Sequence, residues 1–329
     1  MRYRRFPALD SAIAELGYGS WPLSGVFGGF DEDTAIRSVL DYLDAGGNFI
    51  DTARDYGRAE EILGRALKLW TGQRPIVATK AQGLGPTRRW GSPVALDEVY
   101  PQGQIRKSAR NSAKALGVAQ LDLLQLHVYW ATWGVTGRWL DELVELRDEG
   151  LIRAIGVSMP DYRHDMALEL VRTGAIDSVQ TIVNIFDPLA LDCLGPAAAE
   201  HGVALIARGV LDEGGLTDSH AIRKDFEDRD LRGVFFSSAG QDEYRSRVEP
   251  LRKMIPSHAG SLSALAIKAV LAQTNVTTAI VSMPTPDLVA ANVGAVGEPV
   301  LDQKDAHRLV TRHRWVRNFF EPVYWSDEP

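Results

Sequence analysis

Two kinds of stretch alternate along the chain. Short runs dense in Val, Ile and Leu occur at AELGYGS (14–20), GNFID (47–51), PIVATK (75–80), LDLLQLH (121–127), IRAIGVS (152–158), SVQTIVN (178–184), VALIA (203–207) and TTAIVS (277–282). Most of them look like strands covered on both faces. Between them lie longer stretches with apolar residues at helical spacing. DEDTAIRSVLDYLDAGG opens with acids, repeats apolar side chains at Ala35, Val39, Leu40 and Leu43, and closes on Gly46 and Gly47. Acids suit the positive end of a helix and glycine suits its left-handed exit, so this stretch predicts a helix. AEEILGRALKLW, QIRKSARNSAKALG, WLDELVELRDEG, MALELVRTG and LGPAAAEHG follow the same plan, several again ending in glycine.

Strands mostly followed each by a helix define an α/β protein, either a closed (β/α)8 barrel of the TIM type or an open doubly wound sheet. The open sheet usually carries a phosphate loop after its first strand. No GxGxxG and no GxxxxGK[ST] occurs anywhere in the chain. The 329 residues comfortably exceed the roughly 250 that a barrel needs. The pattern therefore predicts one barrel domain over residues 1–329. RYRRF and SAIAEL predict an N-terminal hairpin closing the barrel floor. The segment from Arg208 to about Pro256 breaks the rhythm, and predicts an extended loop with extra helices over the mouth.

Composition narrows the function classes. Hydrophobic residues make up 45% and charged residues 24%, ordinary for a globular protein. Acids outnumber bases 43 to 36, a net charge of −7, which argues against a general nucleic-acid surface. Cys193 is the only cysteine, so neither an internal disulfide nor a cysteine-based zinc cluster is available, which points to a reducing cytoplasm. No apolar run approaches the ~20 residues of a membrane helix, and the N-terminus has no signal-peptide core. With seven histidines and no HxH or HExxH pattern, a metal-dependent hydrolase is disfavoured and no metal is expected.

In a barrel the C-terminal strand ends converge on one mouth. Asp51, Lys80 and His127 end three successive predicted strands, and Tyr56 follows in the loop after the first of them. Singly, each has a bland reading: a turn aspartate, a solvated lysine, a packed histidine or tyrosine. Together they make coherent chemistry. A carboxylate keeps a buried lysine charged, and the ammonium makes a nearby phenol easier to ionise. That suits a tyrosine acting as general acid or base, with a histidine orienting a carbonyl oxygen and a hydride coming from elsewhere.

NFIDTARDYGRAEEILGRAL, IVATK, LDLLQLH, LVELRDEGLIRAIGVS, SVQTIVNIF and TTAIVSMPTPDLVAANV resemble, in order, the motifs of the aldo-keto reductases over nearly the whole chain. The Asp-x4-Tyr spacing followed by G-x-A-E-x-x-L-G-x-A-L is the most specific of these. The resemblance implies Tyr56 as general acid/base, Lys80 and Asp51 as the ion pair that tunes it, and His127 as the carbonyl-orienting residue. It implies a nicotinamide dinucleotide bound without a Rossmann motif. Ser158 and Gln180 would hold the nicotinamide carboxamide, Arg208 would stand at the ring-stacking position, and Ser282 and Asn292 would reach the adenosine end. Two positions depart from the commoner pattern: Met159 replaces an asparagine, and Arg208 an aromatic residue. The loop after the last strand has Asp287 and Leu288 but no Lys or Arg for a 2′-phosphate. The family favours NADP(H); these residues leave NAD(H) open.

Trp21, Trp90 and Trp130 are candidates for the walls of a substrate pocket, which in general is largely apolar and aromatic. Arg88 and Arg89 would favour an anionic substrate, although charged loop residues are usually just solvated, and the aromatic tail from Trp315 to Trp325 reads equally as pocket wall or as loop packing on the barrel. The partner expected is a small carbonyl or alcohol: an aldehyde, a ketone or a sugar. Two other functions compete: a cofactor-binding regulatory or scaffold protein on the same fold, and a redox-neutral isomerase or lyase. Oligomeric state, reaction direction and natural substrate are not written in the pattern.

Overall fold

The structure is a computed structural model, describing residues 1–85, 94–218, 226, 230, 232–236 and 241–315. Strands β1 (Tyr3–Phe6) and β2 (Ser11–Ala14) form an antiparallel hairpin. Eight parallel strands close into a barrel: β3 (Leu16–Gly19), β4 (Phe49–Asp51), β5 (Ile76–Gln82), β6 (Leu121–His127), β7 (Ile152–Ser158), β8 (Ser178–Ile182), β9 (Ala204–Arg208) and β10 (Thr278–Ser282). Neighbours follow chain order, and β10 closes the ring against β3. This is the (β/α)8 barrel with an N-terminal hairpin that the pattern predicts.

Some of the helices start on a side-chain cap. Asp31 accepts from the Thr34 backbone N–H at 2.8 Å and starts the helix Glu32–Asp44. Ser261 does the same through Ala264 for Leu262–Leu271. Gln104–Leu116 ends on Gly117, at φ 69°, as a left-handed cap requires.

The interior follows the two-residue period of a strand. One inward layer is apolar: Phe49, Ala78, Leu123, Ala154, Ala204, Ile206 and Ile280 form one buried cluster with Phe6, Leu9 and Ile13 from the hairpin segment, which plugs the floor. Two residues further along several of these strands stand Asp51, Lys80, Gln125, Gly156, Arg208 and Ser282. The floor is hydrophobic and the mouth is polar because on several strands the inward positions turn from apolar to polar near the C-terminal end. Beneath the mouth, Asp122 splints β5 and β7: its carboxylate accepts from the Val77 N–H at 3.0 Å and from Arg153 at 2.9 Å.

Strand ends differ from expectation by up to two residues. The consequential case is β5, which continues past Lys80 to Gln82. Lys80 is therefore not a strand terminus but a fully buried interior residue. Between β9 and Leu262–Leu271, the described part of the chain contains helices Arg232–Phe235, Gln241–Arg252 and Ile255–His258. The Arg232 guanidinium lies 5.3 Å from the centre of the Phe27 ring, in the loop after β3, so this insertion does reach across the mouth side. Trp315 packs edge-on against Phe186 and with Tyr244, each at 5.8 Å, and so serves a second apolar cluster under the insertion rather than a pocket.

Candidate active site

A cleft of about 900 Å³, including its open mouth, sits at the C-terminal end of the barrel. Nine sequence-derived candidates belong to it or lie directly behind it. Trp21, Asp51, Tyr56, His127, Ser158, Gln180, Arg208 and Ser282 line the cleft, and Lys80 stands behind Asp51. Two candidates do not line it. Trp130 is packed in the outer core between barrel and helices. Asn292 is buried on the helix Pro286–Gly297. Trp90, Arg88, Arg89 and the tail beyond Trp315 lie outside the described residues.

At the centre is a buried ion pair. Lys80 Nζ donates to Asp51 Oδ2 at 2.6 Å and to the Thr52 carbonyl at 2.8 Å. The other Asp51 oxygen accepts from Gln180 Nε2 at 2.7 Å, across the barrel. Both ions are thus satisfied by hydrogen bonds as well as by each other, the condition under which burial is tolerable. Lys80 Nζ lies 5.0 Å from the centre of the Tyr56 ring. Burial pulls the Lys80 ammonium down, but the Asp51 charge and then Tyr56 more than reverse this, so it stays protonated.

Tyr56 departs from the simple expectation of easier ionisation. Burial pushes its phenol up, Lys80 and Arg208 pull it down, and Asp51 and Asp55 add to the rise; the net is above the ordinary tyrosine value. Lys80 moderates the rise rather than producing a phenolate at neutral pH. A hydroxyl that remains protonated beside a fixed ammonium is equipped to give up a proton when charge develops next to it.

His127 ends β6, and its backbone N–H donates to the Tyr100 hydroxyl at 2.8 Å. Its ring is edge-on to Tyr56 with centroids 5.8 Å apart. Its Nδ1 meets Asp55 Oδ1 at 2.9 Å. Asp55 is a site residue that sequence reading passed over as spacer between Asp51 and Tyr56. Also absent from the expected set were Asp161, Tyr162, Asp212 and Glu213, which line the far wall. Three of these non-glycine residues, Tyr162, Asp212 and Glu213, have positive φ. Such backbone gathers at functional sites more often than elsewhere, but it has no signature in the sequence.

The two departures from the family pattern meet each other. The Met159 side chain is fully buried, while its carbonyl accepts from Arg208 Nη2 at 2.9 Å. The same nitrogen donates to Asp161 Oδ1 at 2.8 Å. Arg208 is thereby fixed at the cleft wall as a held cation.

The residues present fit a nicotinamide dinucleotide. Among the described residues the buried Asn292 side-chain N–H group finds no hydrogen-bond partner, which leaves a donor for an acceptor on a ligand. Ser158 and Gln180 pair in register on β7 and β8 and present hydroxyl and amide to the cleft. Among the described residues no cluster is arranged to hold a metal ion, and no helix is long and apolar enough to cross a membrane.

A (β/α)8 barrel with an ion pair, a phenol and an imidazole meeting at its C-terminal mouth defines the class of protein. The sequence model of the Aldo/keto reductase family matches residues 15–311, and the chain belongs to that family. It is similar to Aldo-keto reductase YhdN of Bacillus subtilis (strain 168), 29% identical over 94% of each chain. The NADH-specific methylglyoxal reductase of Escherichia coli (strain K12) is 26% identical over 87% of this chain and 91% of the relative. Among solved structures, the glycerol dehydrogenase AKR11B4 from Gluconobacter oxydans has a TM-score of 0.76 at 27% identity, over 96% of this chain and 97% of the other. The protein is a nicotinamide-dependent oxidoreductase of the carbonyl–alcohol class.

Proposed function

We propose that the cleft interconverts a small aldehyde, ketone or sugar carbonyl and its alcohol, with Tyr56 as proton donor in reduction and acceptor in oxidation. The observation that carries this is the phenol at the open cleft with a satisfied Lys80–Asp51 pair directly behind it and His127 beside it. In reduction the carbonyl oxygen sits between Tyr56 and His127. As negative charge grows on that oxygen, the Tyr56 O–H passes its proton, and the ammonium 5.0 Å from the ring centre stabilises the phenolate left behind. Asp51 holds Lys80 in place, and Gln180 holds Asp51. Trp21, with its ring 6.4 Å from that of Tyr56, supplies an apolar wall that favours a substrate with a flat or hydrophobic face.

A bound nicotinamide dinucleotide supplies or accepts the hydride; Ser158, Gln180, Ser282 and Asn292 would hold it, with Arg208 at the ring. NADP(H) is the cofactor the family favours. Asp287 and the exposed Leu288 at the start of the last barrel helix offer a 2′-phosphate no cation, which keeps NAD(H) open. KM values for both decide the preference. An advantage for NADH above about tenfold, or about 1.4 kcal/mol, would reverse the assignment.

Cofactor fluorescence on binding and cofactor oxidation with a panel of aldehydes and ketones test the main reading. Tyr56→Phe is expected to bind cofactor as the wild type does and to lower the single-turnover rate by about 10²–10⁴, the usual scale for losing a general acid. An unchanged rate would mean that the proton comes from another group. Cofactor binding with no turnover of any carbonyl would favour a regulatory protein on this fold.

A further inference from the structure

We propose that Asp55 is a positioning residue: its carboxylate fixes the protonation of His127 so that the imidazole meets the substrate oxygen as a cationic donor. This rests on the carbonyl–alcohol reading of the cleft. The contact is Asp55 Oδ1 to His127 Nδ1 at 2.9 Å. An ionised carboxylate can only accept, so Nδ1 carries the proton. A neutral ring in that tautomer has a bare lone pair at Nε2 and cannot donate there; only the imidazolium donates from both nitrogens. A histidine that polarises a carbonyl from Nε2 while bonded to Asp55 through Nδ1 must therefore be charged, and the adjacent carboxylate favours that charge. His127 keeps its proton throughout; the proton that ends on the substrate oxygen is that of Tyr56.

The surroundings make this geometry rigid. The His127 main chain is pinned by Tyr100, whose hydroxyl in turn donates to the Ala81 carbonyl at 3.1 Å. The loop bearing Asp55 is tied down on both sides, by Arg54 N–H to the Lys80 carbonyl at 3.3 Å and Tyr56 N–H to the Ala53 carbonyl at 3.1 Å. One short loop thus delivers the proposed acid and the partner of the histidine together. Among the described residues, the other charged and titratable groups around the ring are Tyr56, Asp51, Lys80 and Tyr100, with Arg208 across the cleft. Burial raises the Asp55 carboxyl, and the His127 hydrogen bond and charge, with a smaller pull from Lys80, outweigh it and leave Asp55 below the ordinary carboxylate range. It stays ionised wherever His127 titrates.

The pair predicts a reduction rate that falls on the alkaline side as His127 loses its charge. The test compares wild type, Asp55→Asn and Asp55→Glu by NMR titration of the histidine rings, with His127→Gln assigning the signal. Single-turnover rates of carbonyl reduction against pH complete it. Asp55 lies on an exposed loop with its side chain 35% accessible, so these substitutions leave the core intact. In Asp55→Asn the His127 titration is expected to move down by about one unit or more, and the alkaline limb of the rate profile to move with it. A one-unit move cuts the charged fraction about tenfold on that limb. Asp55→Glu is expected to recover part of both. An unmoved titration, or a moved titration with an unmoved rate profile, overturns the proposal. A wild type that reduces no carbonyl overturns the reading beneath it, and the two failures are distinguishable because the titration needs no turnover.

Discussion

Lys80 is a charge placed where the barrel has no water to offer it: it is fully buried, and its partner Asp51 is only 4% accessible. Such a pair contributes little net stability but is costly to break from one side, since the survivor is left charged and unmatched. Lys80→Met is expected to lower the unfolding free energy by roughly 3–5 kcal/mol. Lys80→Met combined with Asp51→Asn is expected to recover part of that loss, because no uncompensated carboxylate remains. Urea titrations of the wild type, both single variants and the double variant give the coupling directly; strictly additive losses would sink the idea that the two act as one unit. At this scale the sequence was informative where period and strand position sufficed. Asp51, Lys80 and His127 stand at alternate, inward positions of consecutive strands, so knowing the barrel was enough to bring them together. Asp55 was not legible, because its contact depends on how a short loop turns. Met159 and Arg208 read as two separate departures from the family pattern, and only the fold joins the arginine to the methionine carbonyl.

At the scale of elements, the site depends on strands approaching closely enough for polar side chains to meet across the barrel. Gly156 on β7 makes that approach. A Cβ there would run into the Ser178 hydroxyl and come within 2.8 Å of Gln125 Cγ. Gln125 pairs in register with Gly156 and with Lys80, and its amide oxygen faces Gln180 Nε2 at 3.4 Å. Gly156→Ala is therefore expected to destabilise by about 1–3 kcal/mol, the usual cost of overfilling a packed interior. It should also disturb the Gln180–Asp51 bond, so that cofactor affinity falls together with stability. Unfolding and cofactor-binding curves of the variant check both parts, and a stability equal to that of the wild type would show that β7 and β8 can part freely here. The alternation of strands and helices was readable because buried strands are short and apolar while helices carry acids at one end and glycine at the other. The extent of β5 was not, since Ala81 and Gln82 continue the ladder through backbone pairing with Leu126 and His127 rather than through any apolar signal. Trp130 was misplaced as a pocket wall for a similar reason: the chain turns after β6 and carries it into the outer core.

For the molecule as a whole, the ring of helices is fastened to the barrel partly by tyrosines that have left water entirely. Tyr18 shares a hydrogen bond with Ser38 at 2.9 Å, joining β3 to the first long helix. The Tyr42 hydroxyl lies 2.8 Å from the Leu16 carbonyl and 2.9 Å from that of Phe49, bridging the same helix to β3 and β4. Tyr100 bonds the Ala81 carbonyl on β5. Burial raises the phenols of all three well above the ordinary value near 10, and that of Tyr129 to about 12. A raised folded value means that the native state keeps a proton the unfolded chain has lost. The stability these groups contribute is then fully present below about pH 10 and is lost as pH climbs toward the raised folded values. The expected slope is about −1.4 kcal/mol per pH unit for each tyrosine protonated only in the folded state. Urea midpoints should hold steady from about pH 7 to 9 and fall steeply above 10. Tyr42→Phe should start from a lower midpoint, having lost a buried hydrogen bond, yet fall less steeply by one such increment. A midpoint that stays level to pH 12, or an undiminished slope in Tyr42→Phe, would mean that water reaches these phenols before the fold gives way and that the tyrosine contacts are not what couples helix ring to barrel.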